Sequence, residues 1–324
     1  MDRQDVIRLL GRDWDAMVDL VHTTLHSEVE LLNSTNRSII SHSGKQLRPM
    51  MCLLMAKACA GGVSNADSVR FAAGSEILHN ATLIHDDVAD ESDERRGRPT
   101  VVSLLGPSSA VLLGDYWLSR AVEVILSADR DMTVVKLFSK TLTDLSEGEM
   151  LQLEKAASAD TVEDDYYRII YCKTASLFEA ATVSGAISVD APEEYRNAAR
   201  KFARLCGIAF QIKDDILDYA GDSALGKPTG IDIKEKKITL PLLGAMEASG
   251  RSEEIREMIR GIDGHPERCD EIHRFVLENG GVEYAAKTLE EYVEQAALAL
   301  DILPDTPYRE ALKEIARYNT FRKI

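Results

Sequence analysis

The sequence has no excess of positive charge. Its 324 residues carry 38 Lys and Arg against 54 Asp and Glu, a net charge of −16. That balance excludes the basic footprint of a nucleic-acid-binding protein and disfavours attachment to anionic lipid. Any phosphate-bearing ligand must then be met by a local cluster of Lys, Arg or metal ions. Long apolar runs are missing too: no stretch of about 18 apolar residues occurs, which argues against a membrane-spanning helix. The N-terminus MDRQDVIRLLGRDWD mixes both signs of charge. It has neither a signal-peptide core nor the Arg/Ser bias of a transit peptide, so a cytoplasmic location is expected. The five cysteines, Cys52, Cys59, Cys172, Cys206 and Cys269, form no CxxC pair and read as small buried apolar residues. His22 and His26 are spaced i, i+4 but lack the Glu of an HExxH pattern, and read as a solvated helix face.

Proline is scarce, with nine in all and none between Pro107 and Pro192. Within that interval Leu137, Phe138, Leu142 and Leu145 recur at helical spacing, followed by Met150, Leu151 and Leu153. Strand-type alternation is nowhere sustained. The chain therefore reads as all-α, with helices over about 3–33, 48–61, 65–91, 101–128, 131–156, 161–188, 192–220, 238–248, 252–262, 267–279, 281–300 and 306–319. Several of these are apolar round much of their circumference, which suits one large helical bundle, and no linker or solenoid period divides residues 1–324 into further domains.

Two segments carry chemistry. Asp86-Asp87-Val88-Ala89-Asp90 and Asp214-Asp215-Ile216-Leu217-Asp218 are both DDxxD, each following an apolar helical run. On a helix the i and i+4 carboxylates share a face, and like charges there destabilise unless a cation lies over them. Both runs also lie toward helix C-termini, where the dipole disfavours negative charge. Random order at this Asp content yields roughly 0.2 such matches per chain, so two matches need a cause. Oxygen-only clusters suit hard cations, chiefly Mg²⁺, whose octahedron is usually completed by waters and substrate phosphates. Basic residues accompany the acids: Lys45 and Arg48 in SGKQLRP, Arg95 and Arg96 after the first run, Lys227 and Lys237 after the second.

At these residues the sequence resembles the trans-isoprenyl diphosphate synthases, over about residues 40–245. LIHDDVADESDERRGRPT is similar to the family's first Asp-rich region with its Arg pair. GKQLRP is similar to the isopentenyl-diphosphate loop, VLLGDYWLSRA to the helix after the first region, and FQIKDDILDYAGDSALGKPTGIDIKEKKITLPLL to the second Asp-rich region with its Lys-bearing loop. The resemblance implies an isoprenoid-synthase bundle around a deep central cavity. It implies Asp86, Asp90 and Asp214 as direct Mg²⁺ ligands, with Asp87, Asp215 and Asp218 in support through waters, and about three ions per site once substrate is bound. It assigns Arg95, Lys173, Lys227 and Lys237 to the allylic diphosphate, and Lys45, Arg48, His79 and Arg96 to isopentenyl diphosphate. Thr174 and Gln211 fall beside the reacting carbons. Gln46 departs from the basic residue common at its position, and Ser43 from a common Gly. A homodimer is the usual assembly of the family, with LLGDYWLSRAVEVIL as the expected contact helix.

Other classes fit less well. His85-Asp86 invites a metal phosphohydrolase of the HD type, but no other His lies between 86 and 264. A terpene cyclase would carry an Asn/Ser/Glu second motif, and a non-catalytic regulatory subunit would have lost its Asp-rich runs. Product length turns on the helix before the first run. Ala81 and Thr82 lie about one turn before Asp86, where bulky aromatics would stop growth after two or three isoprene units. The floor is then expected deeper, at Phe138 or its neighbour Leu137; Phe138 lies about three turns, roughly 16 Å, before Glu149. The expected product is roughly C30–C45, octaprenyl-like and suited to a quinone tail, built on farnesyl or geranylgeranyl diphosphate; a farnesyl or geranylgeranyl synthase is the alternative.

Overall fold

Apolar periodicity dominates the chain, and helices dominate the structure. The computed structural model describes residues 2–42, 44–95, 97–129, 132–220 and 230–321. In chain order the first helices are α1 (Arg3–Leu10), α2 (Arg12–Thr24), α3 (Glu30–Ile40), α4 (Leu47–Cys59), α5 (Ala66–Ala89), α6 (Val101–Leu105) and α7 (Pro107–Leu126). Next come α8 (Thr133–Ser158), α9 (Glu163–Ile170), a π-helical turn (Tyr171–Ala175), α10 (Ser176–Ser188) and α11 (Glu193–Ala220). The last are α12 (Ile231–Lys234), α13 (Leu240–Ser249), α14 (Ser252–Arg260), α15 (Arg268–Glu278), α16 (Gly281–Ala299) and α17 (Pro307–Phe321). Among the described residues no helix is long and apolar enough to cross a membrane.

The differences from the sequence expectation have local causes. The helix expected over 3–33 is broken at Gly11, whose φ of 56° ends α1, and again after Thr24. His26 therefore lies beyond α2 and shares no helix face with His22; both are exposed. Gly106, with φ 81°, separates α6 from α7, and Pro107 opens the new helix at a position where its missing N–H costs nothing. A two-residue ladder, Glu94–Arg95 against Arg98–Pro99, adds a small antiparallel hairpin that the all-α reading omitted. Asp263-Gly264 and Asn279-Gly280, dipeptides that could turn a hairpin, here close helical segments instead.

The chain divides into two compact units. The first comprises residues 1–139, 180–200 and 302–312. Its centre is the long contact of α5 with α7, made close by a reciprocal exchange of small for large. Gly74 of α5 receives Ile125, and Gly114 of α7 receives the ring of His85, so a Cβ at either position would collide. That places His85 in helix packing. Trp117 of α7 is buried and donates from Nε1 to Asn36 at 2.8 Å, while Asn36 donates to the carbonyl of Leu25 at 2.7 Å. These bonds satisfy polar groups that would cost about 1–3 kcal/mol each if buried alone. The second unit comprises residues 140–179, 201–301 and 313–324. There α13 packs on α15 and α16, and Leu242, Ile272 and Val276 are wholly buried among them.

Four of the five cysteines are buried as expected, and Cys59 is half-buried at the end of α4. All five are free thiols, and burial pushes Cys52, Cys59 and Cys206 up to about 12, leaving them as protonated apolar groups.

Candidate active site

The first acidic run ends α5. Asp90 is the terminal residue, its N–H donating to the Asp86 carbonyl at 2.8 Å. Along the run Asp86 is half-buried, Asp87 buried and Asp90 exposed, the alternation that one helical face imposes on positions i, i+1 and i+4. Arg95 returns from the hairpin and donates from Nε to Asp87 at 2.7 Å. The Ser92 N–H to the Asp87 carbonyl (3.0 Å) and the Thr100 hydroxyl to the Ser92 carbonyl (2.6 Å) hold that return. Arg96 lies outside the described residues.

The same unit holds the SGKQLRP segment. Lys45 precedes α4 and Arg48 sits in its first turn, and both are half-buried. Between them Gln46 is in the left-handed region, φ 54° and ψ 43°, a conformation costing about 1 kcal/mol for an L residue. α4 packs on α5, which also carries His79, Ala81 and Thr82. Ala81 is wholly buried, and the Thr82 hydroxyl donates to the His79 carbonyl at 2.8 Å. On α8, Phe138 is buried and Leu137 half-buried.

The second acidic run lies near the end of α11, in the second unit, and is embedded more deeply. Asp215 is buried, accepting from Tyr166 Oη at 2.7 Å and from Gln211 Nε2 at 2.9 Å. Gln211 in turn accepts from the Thr174 hydroxyl at 2.8 Å, so one continuous chain runs Thr174–Gln211–Asp215–Tyr166. Burial pushes the Asp215 carboxyl well above the usual carboxylate range, and the charges of Asp214 and Asp218 add to this against the two donors. Asp218 accepts the N–H groups of Ile231 and Asp232, each at 3.1 Å, and so caps α12. Lys227 lies outside the described residues.

A π-helical turn presents Lys173 and Thr174. It is accommodated by two glycines: a Cβ on Gly148 of α8 would lie 2.5 Å from Cys172 Cβ, and one on Gly207 of α11 would lie 2.5 Å from Ala175 Cα. Lys173 Nζ reaches Glu149 at 2.5 Å and Gln152 at 3.1 Å. Lys173 and Gln152 line a cavity of about 150 Å³, which Gln211, Asp215, Lys155, Asp232 and Lys237 also line. Lys237 pairs with Glu235. Asp232 was not singled out in the sequence, where it sits in a lysine-rich stretch that reads as surface. It is held well above the carboxylate range, first by burial and then by the charges of Asp215 and Asp218. Tyr166, Glu149 and Gln152 also gain their roles from tertiary placement alone; the glycines inside long helices are the one sequence signal that marks the π turn.

The donor set is the kind that suits a hard cation. The two runs offer carboxylate oxygens, and among the described residues no three His, Cys, Asp or Glu side chains converge into a closed cage. Carboxylate oxygens are the ligand type of a hard cation, which completes its shell with water and phosphate oxygens.

A mostly helical chain with two DDxxD runs and a Lys-lined cavity points to an enzyme class that handles diphosphates, and comparison with known proteins agrees. The polyprenyl synthetase family model matches residues 29–276. The chain is 41% identical over 318 residues to the all-trans-nonaprenyl-diphosphate synthase (geranyl-diphosphate specific) of Rhodobacter capsulatus, covering 97% of this chain and 96% of that one. It is 37% identical over 319 residues to the octaprenyl diphosphate synthase of Escherichia coli K12, covering 98% of each. The polyprenyl synthase of Caulobacter crescentus, solved with calcium and isoprenyl diphosphate, superposes with a TM-score of 0.90 at 32% identity, covering 100% of this chain and 98% of that one. The chain belongs to the polyprenyl synthetase family. It is a prenyltransferase of the trans-polyprenyl diphosphate synthase class.

Proposed function

We propose that this enzyme condenses isopentenyl diphosphate with an allylic diphosphate to give an all-trans product of roughly six to nine isoprene units. The observation that carries the length is the pair of small side chains, Ala81 and Thr82, on α5 one turn before Asp86, where an aromatic would stop a growing tail. The names of the nonaprenyl and octaprenyl relatives support the same range. Residues 1–324 act as one catalytic domain in this reading, and as a homodimer in the cytoplasm, with transient membrane contact to release a long product.

Asp86, Asp90 and Asp214 would hold Mg²⁺, with Asp87, Asp215 and Asp218 behind them, and the bound metal supplies positive charge to the diphosphate that departs. Lys173, Lys227, Lys237 and Arg95 bind the allylic diphosphate and share that charge as it develops. Lys45, Arg48, His79 and Arg96 orient isopentenyl diphosphate so that its double bond reaches the allylic carbon. The Thr174 and Gln211 dipoles stabilise the cationic carbon; the hydrogen bond between them fixes their orientation before substrate arrives. A proton is then lost to the departed pyrophosphate, so no His or Glu base is required.

Product chromatography tests the length. Wild-type enzyme is expected to give roughly C30–C45, Ala81→Phe or Thr82→Phe a shorter chain, and Phe138→Ala a longer one. A C15 or C20 product from the wild type would overturn the reading.

A further inference from the structure

Helix α1 precedes the span that the family model matches, yet it reaches the SGKQLRP segment. Arg3 bonds to it directly. Arg3 donates from Nε to the Lys45 carbonyl at 3.2 Å and from a guanidinium nitrogen to Gln46 Oε1 at 2.8 Å. Three features hold Arg3 in that place. A capping box fixes the first turn of α1: the Asp5 N–H donates to the Asp2 carboxylate at 2.8 Å, and the Asp2 N–H returns to the Asp5 carboxylate at 2.9 Å. The guanidinium carbon lies 5.9 Å from the centre of the Trp14 ring, which is buried in α2. Val6 and Leu10, at i+3 and i+7 on the same face of α1 as Arg3, are buried, and α1 packs on α4.

The two bonds land where the backbone is least able to hold itself. Gln46 is non-glycine with φ 54°, and its side chain makes no capping bond to α4. Lys45 and Arg48 flank it, so the left-handed residue decides how those two cations are presented. Position 46 carries no charge of its own, and Arg3 adds a third cation beside it.

We infer that Arg3 is a positioning residue for the isopentenyl-diphosphate loop: it clamps Lys45 and Gln46 from outside the loop and lends it a cation. This rests on the reading that Lys45 and Arg48 bind isopentenyl diphosphate. Steady-state kinetics of the full-length enzyme with both substrates varied separates the two ideas. Arg3→Ala and Arg3→Gln are expected to raise KM for isopentenyl diphosphate about tenfold, with kcat and the allylic KM within about twofold of wild type. Gln46→Arg placed in the Arg3→Ala background restores a cation to the loop and is expected to bring KM back to within about threefold, whereas a purely structural loss of α1 would not be rescued this way. The clamp is overturned if Arg3→Gln leaves KM unchanged while Lys45→Ala raises it, if both substrates' KM values rise together, or if Gln46→Arg gives no rescue. Should Lys45→Ala itself leave KM for isopentenyl diphosphate unchanged, the loop assignment falls and the clamp with it.

Discussion

The two acidic runs share a spelling and differ in surroundings. In the first, the buried member Asp87 is met by a cation, with Arg95 Nε at 2.7 Å, and Asp90 stands exposed at the end of its helix. In the second, the buried member Asp215 is met by neutral donors, Tyr166 and Gln211, and Asp218 gives its oxygens to two backbone amides. Equal spacing fixes which residues share a helix face. It does not fix what compensates their charge, because that comes from elements distant in sequence. A neutral hydrogen-bond donor stabilises a buried carboxylate less than a cation does, so burial dominates at Asp215 and its carboxyl is raised.

The largest effect should come from the outer carboxylates of each run. Asp86→Ala or Asp214→Ala is expected to lower turnover by about 10³-fold or more, while the thermal midpoint holds, since removing like charges relieves repulsion. A variant keeping more than about a tenth of the wild-type rate at saturating Mg²⁺ would show that its run is not needed for charge stabilisation.

Asp215→Asn sharpens the contrast through stability. Because the Asp215 carboxyl is raised, the folded state keeps a proton that the unfolded state gives up. Stability is therefore full below the unfolded value of 3.8 and falls as pH rises toward about 7. Asn at 215 cannot ionise and escapes that loss. The metal-stripped variant should lie a few degrees above wild type in Tm at pH 8 and converge with it near pH 4, while its turnover falls about 10–100-fold. A wild-type Tm that rises over that window relative to Asp215→Asn would reverse the sign and refute the comparison.

The smallest effect should be at Arg95. Its side chain is 36% exposed, so its pair with Asp87 is partly screened. Arg95→Gln is expected to cost less than about 0.5 kcal/mol of stability and to raise the allylic KM several-fold, leaving KM for isopentenyl diphosphate unchanged. Denaturant melts and two-substrate kinetics read both quantities.

Much of this was legible in the sequence, for reasons that also mark where legibility ends. The helix expected over 65–91 is α5 (Ala66–Ala89), and that expected over 192–220 is α11 (Glu193–Ala220). Both are long and free of internal proline. The failures fall where a single residue overrides periodicity. Gly11 and Gly106 interrupt patterns whose apolar spacing continues across them, so the moment of the pattern hides the break. The acidic runs were found because three carboxylates in register are rare. Tyr166 and Asp232 were not, since their importance is burial beside Asp215, which no local pattern encodes. Arg3 belongs to the same class: a surface-type residue in sequence, a contact of Lys45 and Gln46 in space.

The π turn at Tyr171–Ala175 can be restated as a matter of length. A π turn is an α-helix that has absorbed one residue too many, and the surplus is what swings Lys173 and Thr174 out of ordinary helical phase. Removing any one residue from the turn would let a straight helix run from Glu163 onward and rotate everything before the deletion by about 100°. Tyr166 would then leave Asp215, although both side chains were still in the sequence. Substitution at most positions here is a question of chemistry; deletion is a question of phase. The two glycines that make room for the surplus, Gly148 and Gly207, tie that phase to the neighbouring helices α8 and α11. The segment should therefore tolerate changes of letter far better than changes of count.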